Sequence, residues 1–574
     1  MGKQRVEAGP APAARRVRWG EGHSLHVVVF VCGAVLMAFE MVGSRILAPT
    51  FGSTIFVWGS LIGVFLGALS LGYFVGGRLA DRLPKFLVLG ALIAAAGLII
   101  LVVPLYALAT CRWIDRGDPG HRLNPLFASM VLFFVPSVLL GTVSPFSVRL
   151  QARSVATMGN VAGRLYALST LGSIAGTIVA TFWLIPSYGT SSNIKGLGVC
   201  LVVVSLLAIV PPVRRQVAAG DGRGATGTGA ALLGAVVLGI LPTPSYIRID
   251  EGEKLVAEAD SPYQHIGVVL LSRGASEATK QWSLRMVFDK YIESEVMVQD
   301  GDPVKIRIRE PYESGAKYTD TLHLPLLFNE DPRSVLIVGG GGGVVPTIFR
   351  RDYPQLEHID VVEIDPLVLR ISQKYFGFAP DGKRLTTTLK DGRVYVRDCK
   401  KSYDIIILDA FTGGRPPFHL LTKEFLELVK ARLTPMGVCH LNIISALEGE
   451  KSRLFWAMLK TFHAVFGKDR VYVFPKLYDP RWGQTAVLRD GINIELVATS
   501  FDTTPNPWPK SKIVAKAEEL VNVSGRIRIP SITRHAENYR SLDDLLYRKE
   551  AQAEYKAAPV MTDDFAPVDN WVTD

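Results

Sequence analysis

Val335-Leu-Ile-Val-Gly-Gly-Gly-Gly-Gly343 is the stretch on which the reading of this chain turns. Its four apolar residues suit a short strand buried on both faces, and the glycines end that strand and start a turn. Glycine lets a backbone come close to a ligand and turn sharply into a helix, and Val344 to Arg351 carries the pattern of that helix. A glycine run alone is equally well a flexible turn, so its meaning depends on the strands and acids C-terminal to it. Ile359-Asp-Val-Val-Glu-Ile-Asp365 reads as a second strand and Pro366 to Phe376 as a second helix. Asp404-Ile-Ile-Ile-Leu-Asp409 is another strand, Thr422 to Leu433 another helix, and Val438 to Ile443 the next strand. Strands alternating with helices predict a parallel sheet wound on both faces.

Chemistry in such a sheet gathers beyond the carboxyl ends of the strands. Gly339, Gly341 and Gly343 are expected in the loop that meets the ligand. Glu363 follows Gly339 by 24 residues and ends the next strand, where a carboxylate can accept both ribose hydroxyls. Asp391 and Gly392 precede a helical stretch, and an acid there can receive an adenine amino group. Asp409 ends a core strand in the ligand crevice. Each acid singly could cap a helix or face solvent. In this order and spacing they predict nucleoside binding by an α/β Rossmann-like domain over residues 329–574. Residues 245–328 read as a small β-rich segment of short strands and turns, with Ser261-Pro-Tyr-Gln264 leading into a β run from His265 to Leu271.

The preceding residues are of another kind. Of the 574 residues, 48% are hydrophobic and the mean hydropathy is +0.24, but the apolar runs crowd into residues 24–242. Seven segments stand out, at about 24–48, 55–77, 86–110, 126–146, 165–186, 194–210 and 228–242. A helix needs roughly 20 residues to cross a hydrocarbon core. The first five segments have that length, the sixth is a little short, and Thr228 to Pro242 is marginal. Arg15, Arg16 and Arg18 precede the first run, as in a signal peptide. The run continues past Glu40 to Arg45 with no small-residue cleavage pattern, so it reads as a retained first helix behind a cytoplasmic tail, residues 1–23. An α-helical transmembrane bundle of six or seven helices is predicted over residues 24–244. The small-xxx-small pairs Gly63/Gly67, Gly72/Gly76 and Gly172/Gly176 predict close helix packing within it.

The net charge of +10 sits largely at the edges of the apolar runs, which marks membrane flanks and not a nucleic-acid footprint. Arg78, Arg82, Lys85, Arg149, Arg153, Arg164, Arg214, Arg215 and Arg223 fall on the side of the N-terminal tail, predicting that side to be cytoplasmic. Six spans return the C-terminal half to the cytoplasm; a spanning segment 228–242 would place it outside. The five scattered cysteines, never at C-x-x-C spacing, indicate neither a disulfide framework nor a zinc site.

The glycine run, the segment ending Val-Val-Glu-Ile-Asp365, Asp391-Gly392 and Asp404-Ile-Ile-Ile-Leu-Asp-Ala-Phe411 together resemble the spermidine synthases, the polyamine aminopropyltransferases. Ser261 to Gln264 resembles that family's early strand, and Pro416-Pro-Phe-His-Leu-Leu-Thr-Lys-Glu-Phe425 the segment after its catalytic loop. Gly163-Arg-Leu-Tyr166, Gly172-Ser-Ile-Ala-Gly176 and the tail Met561-Thr-Asp-Asp-Phe-Ala-Pro567 resemble the family's membrane-fused branch. The resemblance implies a spermidine synthase/methyltransferase-type fold, decarboxylated S-adenosylmethionine as cosubstrate and a diamine, usually putrescine, as acceptor. It implies that Gln264 touches the cosubstrate, Glu363 binds ribose, Asp391 and Gly392 hold adenine, Asp409 accepts the proton, and Pro416 stands in the wall of the site. The family's cosubstrate-binding histidine falls within Tyr318 to His323. No metal is expected, and a homodimer is compatible with the resemblance.

Two positions depart from the family pattern. Gly342 stands where the glycine loop usually carries an acid, and Thr412 where the catalytic loop carries its second acid. The tail acids Asp563 and Asp564 are candidates to replace them. Three readings stay open. The first is aminopropyl transfer to putrescine or a related polyamine, soluble or membrane-associated. The second is methyl or other alkyl transfer from intact S-adenosylmethionine, which needs no acidic amine pocket. The third is a transporter or sensor whose C-terminal domain only binds a nucleoside.

Overall fold

The computed structural model describes residues 19–51, 54–117, 120, 122–152, 154–218, 238–243, 245–247, 249–273, 280–310, 312–411, 414, 416–477, 491–566 and 568. The chain forms two compact units, Met1–Pro244 and Ser245–Asp574.

Among the described residues of the first unit, six helices are long and apolar enough to cross a membrane: Ser24–Phe51, Ile55–Arg82, Phe86–Gly117, Asn124–Gln151, Thr157–Ser187 and Thr190–Ala208. The sixth apolar run is short in sequence, but its helix extends over Thr190–Ala218. Segment 228–242 lies mostly outside the described residues; residues 238–240 are helical, and Leu238 packs beside Leu101 and Val202. The small residues have a definite use. A Cβ on Gly172 or Gly176 would lie 2.0 Å from the carbonyl oxygen of Phe30 or Ala34, so these helix backbones touch directly. Gly72 and Gly76 meet the backbone at Val138 and Thr142 in the same way. Gly63 and Gly67 meet nothing within 4 Å, so the packing expected of that pair is not made among the described residues.

The second unit begins with a four-stranded antiparallel sheet, ordered β1 (Glu253–Asp260), β2 (His265–Arg273), β3 (Gln281–Phe288) and β4 (Tyr291–Val298). One face of it, including Ile266, Val268, Leu284 and Met286, packs on Val344 and Ile348 of the helix Val344–Asp352 and on Val368 and Ile371 of the helix Pro366–Tyr375.

The larger sheet has seven strands: β5 (Ser334–Val338), β6 (His358–Glu363), β7 (Leu385–Leu389), β8 (Tyr403–Leu408), β9 (Leu433–Ser445), β10 (Val471–Pro475) and β11 (Ile492–Thr499). Their order is β10-β11-β9-β8-β5-β6-β7. β9, β8, β5, β6 and β7 run parallel. β11 pairs antiparallel with both β9 and β10, so the all-parallel expectation is corrected to a mixed sheet. The helix Arg453–Phe466 carries the chain from β9 past one strand position to β10, and β11 fills that gap running the other way. Strand–helix alternation could not reveal a strand that has no crossover helix of its own.

Both faces of this sheet are covered, which is why β5 reads as a continuous apolar run. Val335 and Ile337 pack toward Phe349 and Ile513, while Leu336 and Val338 pack toward Phe425 and Phe455. β6 and β7 lie to one side of β5 and β8 to the other. The winding therefore reverses between β5 and β8, and a crevice opens where both strands end, at Gly339 and Asp409.

Candidate active site

The crevice depends on a close approach of two backbones. Gly339 has φ of +104°, and a Cβ there would lie 2.2 Å from the carbonyl oxygen of Asp409. Only glycine permits β5 to end against β8 in this way. Gly339, Gly340 and Gly341 then line a cavity of about 230 Å³. Gly343 does not face it. It caps the helix Val344–Asp352 and lies against the Phe378 ring, which corrects its expected place at the ligand.

Glu363, Asp391, Gly392, Gln264 and Asp409 all line this one cavity. Glu363 is buried; its Oε2 accepts the Gly340 N–H and its Oε1 the Asp365 N–H, both at 2.9 Å. The Ile364 N–H also lies close to the carboxylate; with about four acceptor positions on its two oxygens, Glu363 keeps acceptor capacity for a ligand. Burial pushes the Glu363 carboxyl up and the N–H donors hold it down, with burial the stronger. Asp391 caps the helix Gly392–Asp398 through the Val394 N–H at 2.9 Å, and its other oxygen lies 3.0 Å from His419 Nε2. Gln264 is buried with its Oε1 lacking a hydrogen-bond partner among the described residues. An orphaned acceptor at a cavity wall fits a ligand that brings a donor.

Asp409 comes directly after β8, half-buried, with Oδ1 accepting from Asn442 Nδ2 at 2.8 Å. Asn442 Oδ1 in turn accepts from Asn493 Nδ2 at 3.0 Å. Burial raises the Asp409 carboxyl, Asn442 opposes, and the charge of Glu495 adds to burial; the carboxyl is pushed up to about 6.

Sequence reasoning missed one acid of the cavity. Glu293 in β4 lines the same cavity. Burial, and then the charges of Asp409, Glu363 and Asp289, push its carboxyl up to about 8. The only signal for it was an acid inside an otherwise strand-forming run. Its neighbour Ser294 explains Gly342. A Cβ at Gly342 would lie 2.8 Å from Ser294 Cβ and 3.1 Å from the Phe376 ring, and Ser294 Oγ accepts the Gly342 N–H at 2.8 Å. That space holds no acidic side chain at 342, and an acid comes from the adjacent strand instead. Lys390 is the one Lys or Arg among the described lining residues, and its charge is matched by Asp398 at 2.8 Å.

Several expected residues stand elsewhere. Pro416 is buried and does not line the cavity; Pro417 does. His323 also stays out, bonded through Nδ1 to Tyr353 Oη at 2.8 Å, and the histidine at the cavity is His419. From the Tyr318 to His323 region it is Tyr318 that reaches the wall, with its hydroxyl donating to the Glu293 carbonyl at 2.5 Å. Asp563 is spent on Arg393, at 2.6 and 2.5 Å, and on Thr422 at 2.8 Å. Neither Asp563 nor Asp564 lines the cavity, which corrects the idea that tail acids enter the site. Thr412 lies outside the described residues. Among the described residues no group of three or more His, Cys, Asp or Glu could hold a metal ion.

Residues 316–476 match the family described as the spermine/spermidine synthase domain. A polyamine aminopropyltransferase of Vibrio vulnificus (strain CMCP6) is 40% identical over 154 residues, 26% of this chain and 49% of that protein. Putrescine N-methyltransferase 2 of Nicotiana attenuata is 32% identical over 218 residues, 35% of this chain and 52% of that protein. The chain thus spans about half the length of these curated relatives. Among solved structures, a probable spermidine synthase from Corynebacterium glutamicum ATCC 13032 aligns with a TM-score of 0.38 at 20% identity, over 52% of this chain and 95% of that one.

Proposed function

We propose that this chain, which carries a spermine/spermidine synthase domain over residues 316–476, is a multi-pass membrane transferase. In this reading it moves an aminopropyl group from decarboxylated S-adenosylmethionine to putrescine or a related amine, with its catalytic half in the cytoplasm. The observation that carries the reading is the convergence of Asp409, Glu293 and Glu363 on one cavity whose single described Lys or Arg is already matched by Asp398. Such a wall attracts a sulfonium and an ammonium and repels the α-carboxylate of the intact cosubstrate.

Each residue has a part. Glu363 offers its remaining acceptor capacity to the ribose hydroxyls, Asp391 and Gly392 face the adenine, and Gln264 Oε1 takes a donor from the cosubstrate. Asp409 orients the attacking amine through the oxygen that Asn442 leaves open. The amine nitrogen forms a bond to the carbon beside sulfur. The carbon–sulfur bond breaks with its electron pair going to sulfur, so methylthioadenosine leaves uncharged. The proton shed by the new ammonium passes to Asp409. An alkylammonium ordinarily titrates near 10.4 and an aspartate near 3.9; raising Asp409 to about 6 narrows that gap. Orientation supplies the rest.

The likeness to putrescine N-methyltransferases supports a second reading, methyl transfer from intact S-adenosylmethionine to a similar amine. Calorimetry with the two cosubstrates separates them. Tighter binding of the decarboxylated form is expected, and preference for the intact form would favour methyl transfer.

A further inference from the structure

Behind the cavity, strands β9 and β11 carry polar side chains in an otherwise apolar interior. Asn442 and Glu495 are cross-strand partners. His440 and Glu495 are fully shielded from water, and Asn442 nearly so. Glu495 Oε2 lies 2.8 Å from His440 Nε2, and Glu495 Oε1 lies 2.7 Å from the Thr321 hydroxyl, whose one proton it shares with the Tyr318 carbonyl at 2.6 Å. The adjoining positions Leu441, Ile443, Leu496 and Val497 are plain apolar core, so the packing of the sheet gives no reason for an acid here. A carboxylate this deep is expensive to bury unless it is matched.

The match is incomplete. His440 Nδ1 is buried with no hydrogen-bond partner among the described residues. A second proton on that ring would leave an N–H unsatisfied in the core. Hydrogen bonding therefore assigns His440 a single proton, on Nε2 and donated to Glu495. The pair is bonded but keeps one negative charge.

We propose that Glu495, fixed behind Asp409 by His440 and Thr321, is a positioning residue whose negative charge keeps Asp409 able to take a proton from the attacking amine. The inference rests on the aminopropyl-transfer reading. The groups around Asp409 are Asn442 from β9, Glu293 from β4, Glu363 from β6 and Tyr318 from the turn Lys317–Leu327, with Glu495 and His440 behind. Asn442 donates to Asp409 and so weakens it as a base; a charged His440 would act in the same sense, and Glu495 acts in the opposite one. Glu495 touches no part of the cavity wall, so its effect on the reaction passes through Asp409.

Glu495→Gln keeps the shape and removes the charge. The assay is single-turnover release of methylthioadenosine by the full-length protein, from decarboxylated S-adenosylmethionine and putrescine, across pH 5 to 9. The acid limb of the profile is expected to move to lower pH by about one unit, and the limiting rate to fall about tenfold. His440→Gln keeps an N–H toward Glu495 and is expected to leave the limb in place. A limb that stays put in Glu495→Gln while the rate falls evenly at all pH values would mean a structural role only and overturn the proposal. A limb that moves in His440→Gln would mean a charged histidine and overturn it as well, which decides the matter even if Glu495→Gln does not fold. A wild-type protein that releases no methylthioadenosine with any amine overturns the transfer reading itself, a different failure.

Discussion

Replacing Glu293 with Gln tests the cation-binding side of the cavity in a way that can be worked out beforehand. Burial and the charges of Asp409, Glu363 and Asp289 push the Glu293 carboxyl up to about 8, so at pH 7 most copies hold a proton. A ligand ammonium that uses the ionised form must first expel that proton. Linkage then requires affinity for decarboxylated S-adenosylmethionine to rise about tenfold between pH 7 and pH 9, or about 1.4 kcal/mol. Asp409, near 6, is already ionised over most of that window and adds little. Methylthioadenosine has no ammonium and should show no rise. Gln cannot ionise, so the variant should lose the pH dependence. It should also lose a charge-assisted hydrogen bond of about 1.5–3 kcal/mol, or roughly 10- to 150-fold in affinity. Isothermal titration calorimetry from pH 6.5 to 9, in two buffers of different ionisation enthalpy, measures both the affinity and the protons released. A wild-type affinity that is flat with pH, or a rise that persists in Glu293→Gln, would refute the role given to this acid.

Three other perturbations have outcomes set by the geometry. Burial works against a proton on His265, but hydrogen bonds to Asp260 at 2.5 Å and Glu258 at 2.6 Å outweigh it and push the imidazole up to about 9. That stability, on the order of 3 kcal/mol, is complete below the unfolded value of about 6.5 and is lost as pH rises through about 9. Melting curves of wild type and His265→Gln should therefore converge above pH 9, and a constant gap up to that pH would contradict the clasp. Gly339→Ala forces a Cβ to within 2.2 Å of the Asp409 carbonyl at a φ that adds about 1–3 kcal/mol of strain; lower melting and lost methylthioadenosine binding are expected, and wild-type affinity would show that the close approach is dispensable. Asp563→Asn breaks a partly exposed pair with Arg393 outside the cavity, so turnover should stay within about fivefold of wild type. A hundredfold loss would return the tail to the site.

Four of the five parallel strands, β5, β6, β8 and β9, are legible as apolar runs next to a helix or to glycine; β7, with three threonines between two leucines, carries no such run and is not legible in the sequence. One crossover separates the apolar run at Val335 from Glu363 at the end of β6, and two more, by way of β7, lead to Asp409 after β8; the strand order brings all three to one crevice. What escaped notice came from the small sheet and from strands without helices. Glu293 reaches the cavity only because β4 packs over the glycine loop, a tertiary fact with no local pattern. Glu495 lies on β11, whose reversed direction no alternation signals. Gly342 departs from the family pattern in sequence; the contacts of Ser294 and Phe376 make that departure a consequence of where the small sheet sits. Pro416 and His323 illustrate the converse, since positions taken from a resemblance fell one residue from the wall or into the core beside it.

The central claim is that Asp409 takes the proton from an amine as methylthioadenosine leaves. Single-turnover release of methylthioadenosine by wild type and by Asp409→Asn, with a panel of amines and both forms of the cosubstrate, tests it most directly. The account predicts release from the decarboxylated form in wild type. In Asp409→Asn the rate should fall by about 10²- to 10⁴-fold, with cosubstrate affinity changed only a few-fold. Equal rates in the two proteins would contradict the assignment of Asp409, and methyl transfer from the intact cosubstrate without methylthioadenosine would contradict the reaction.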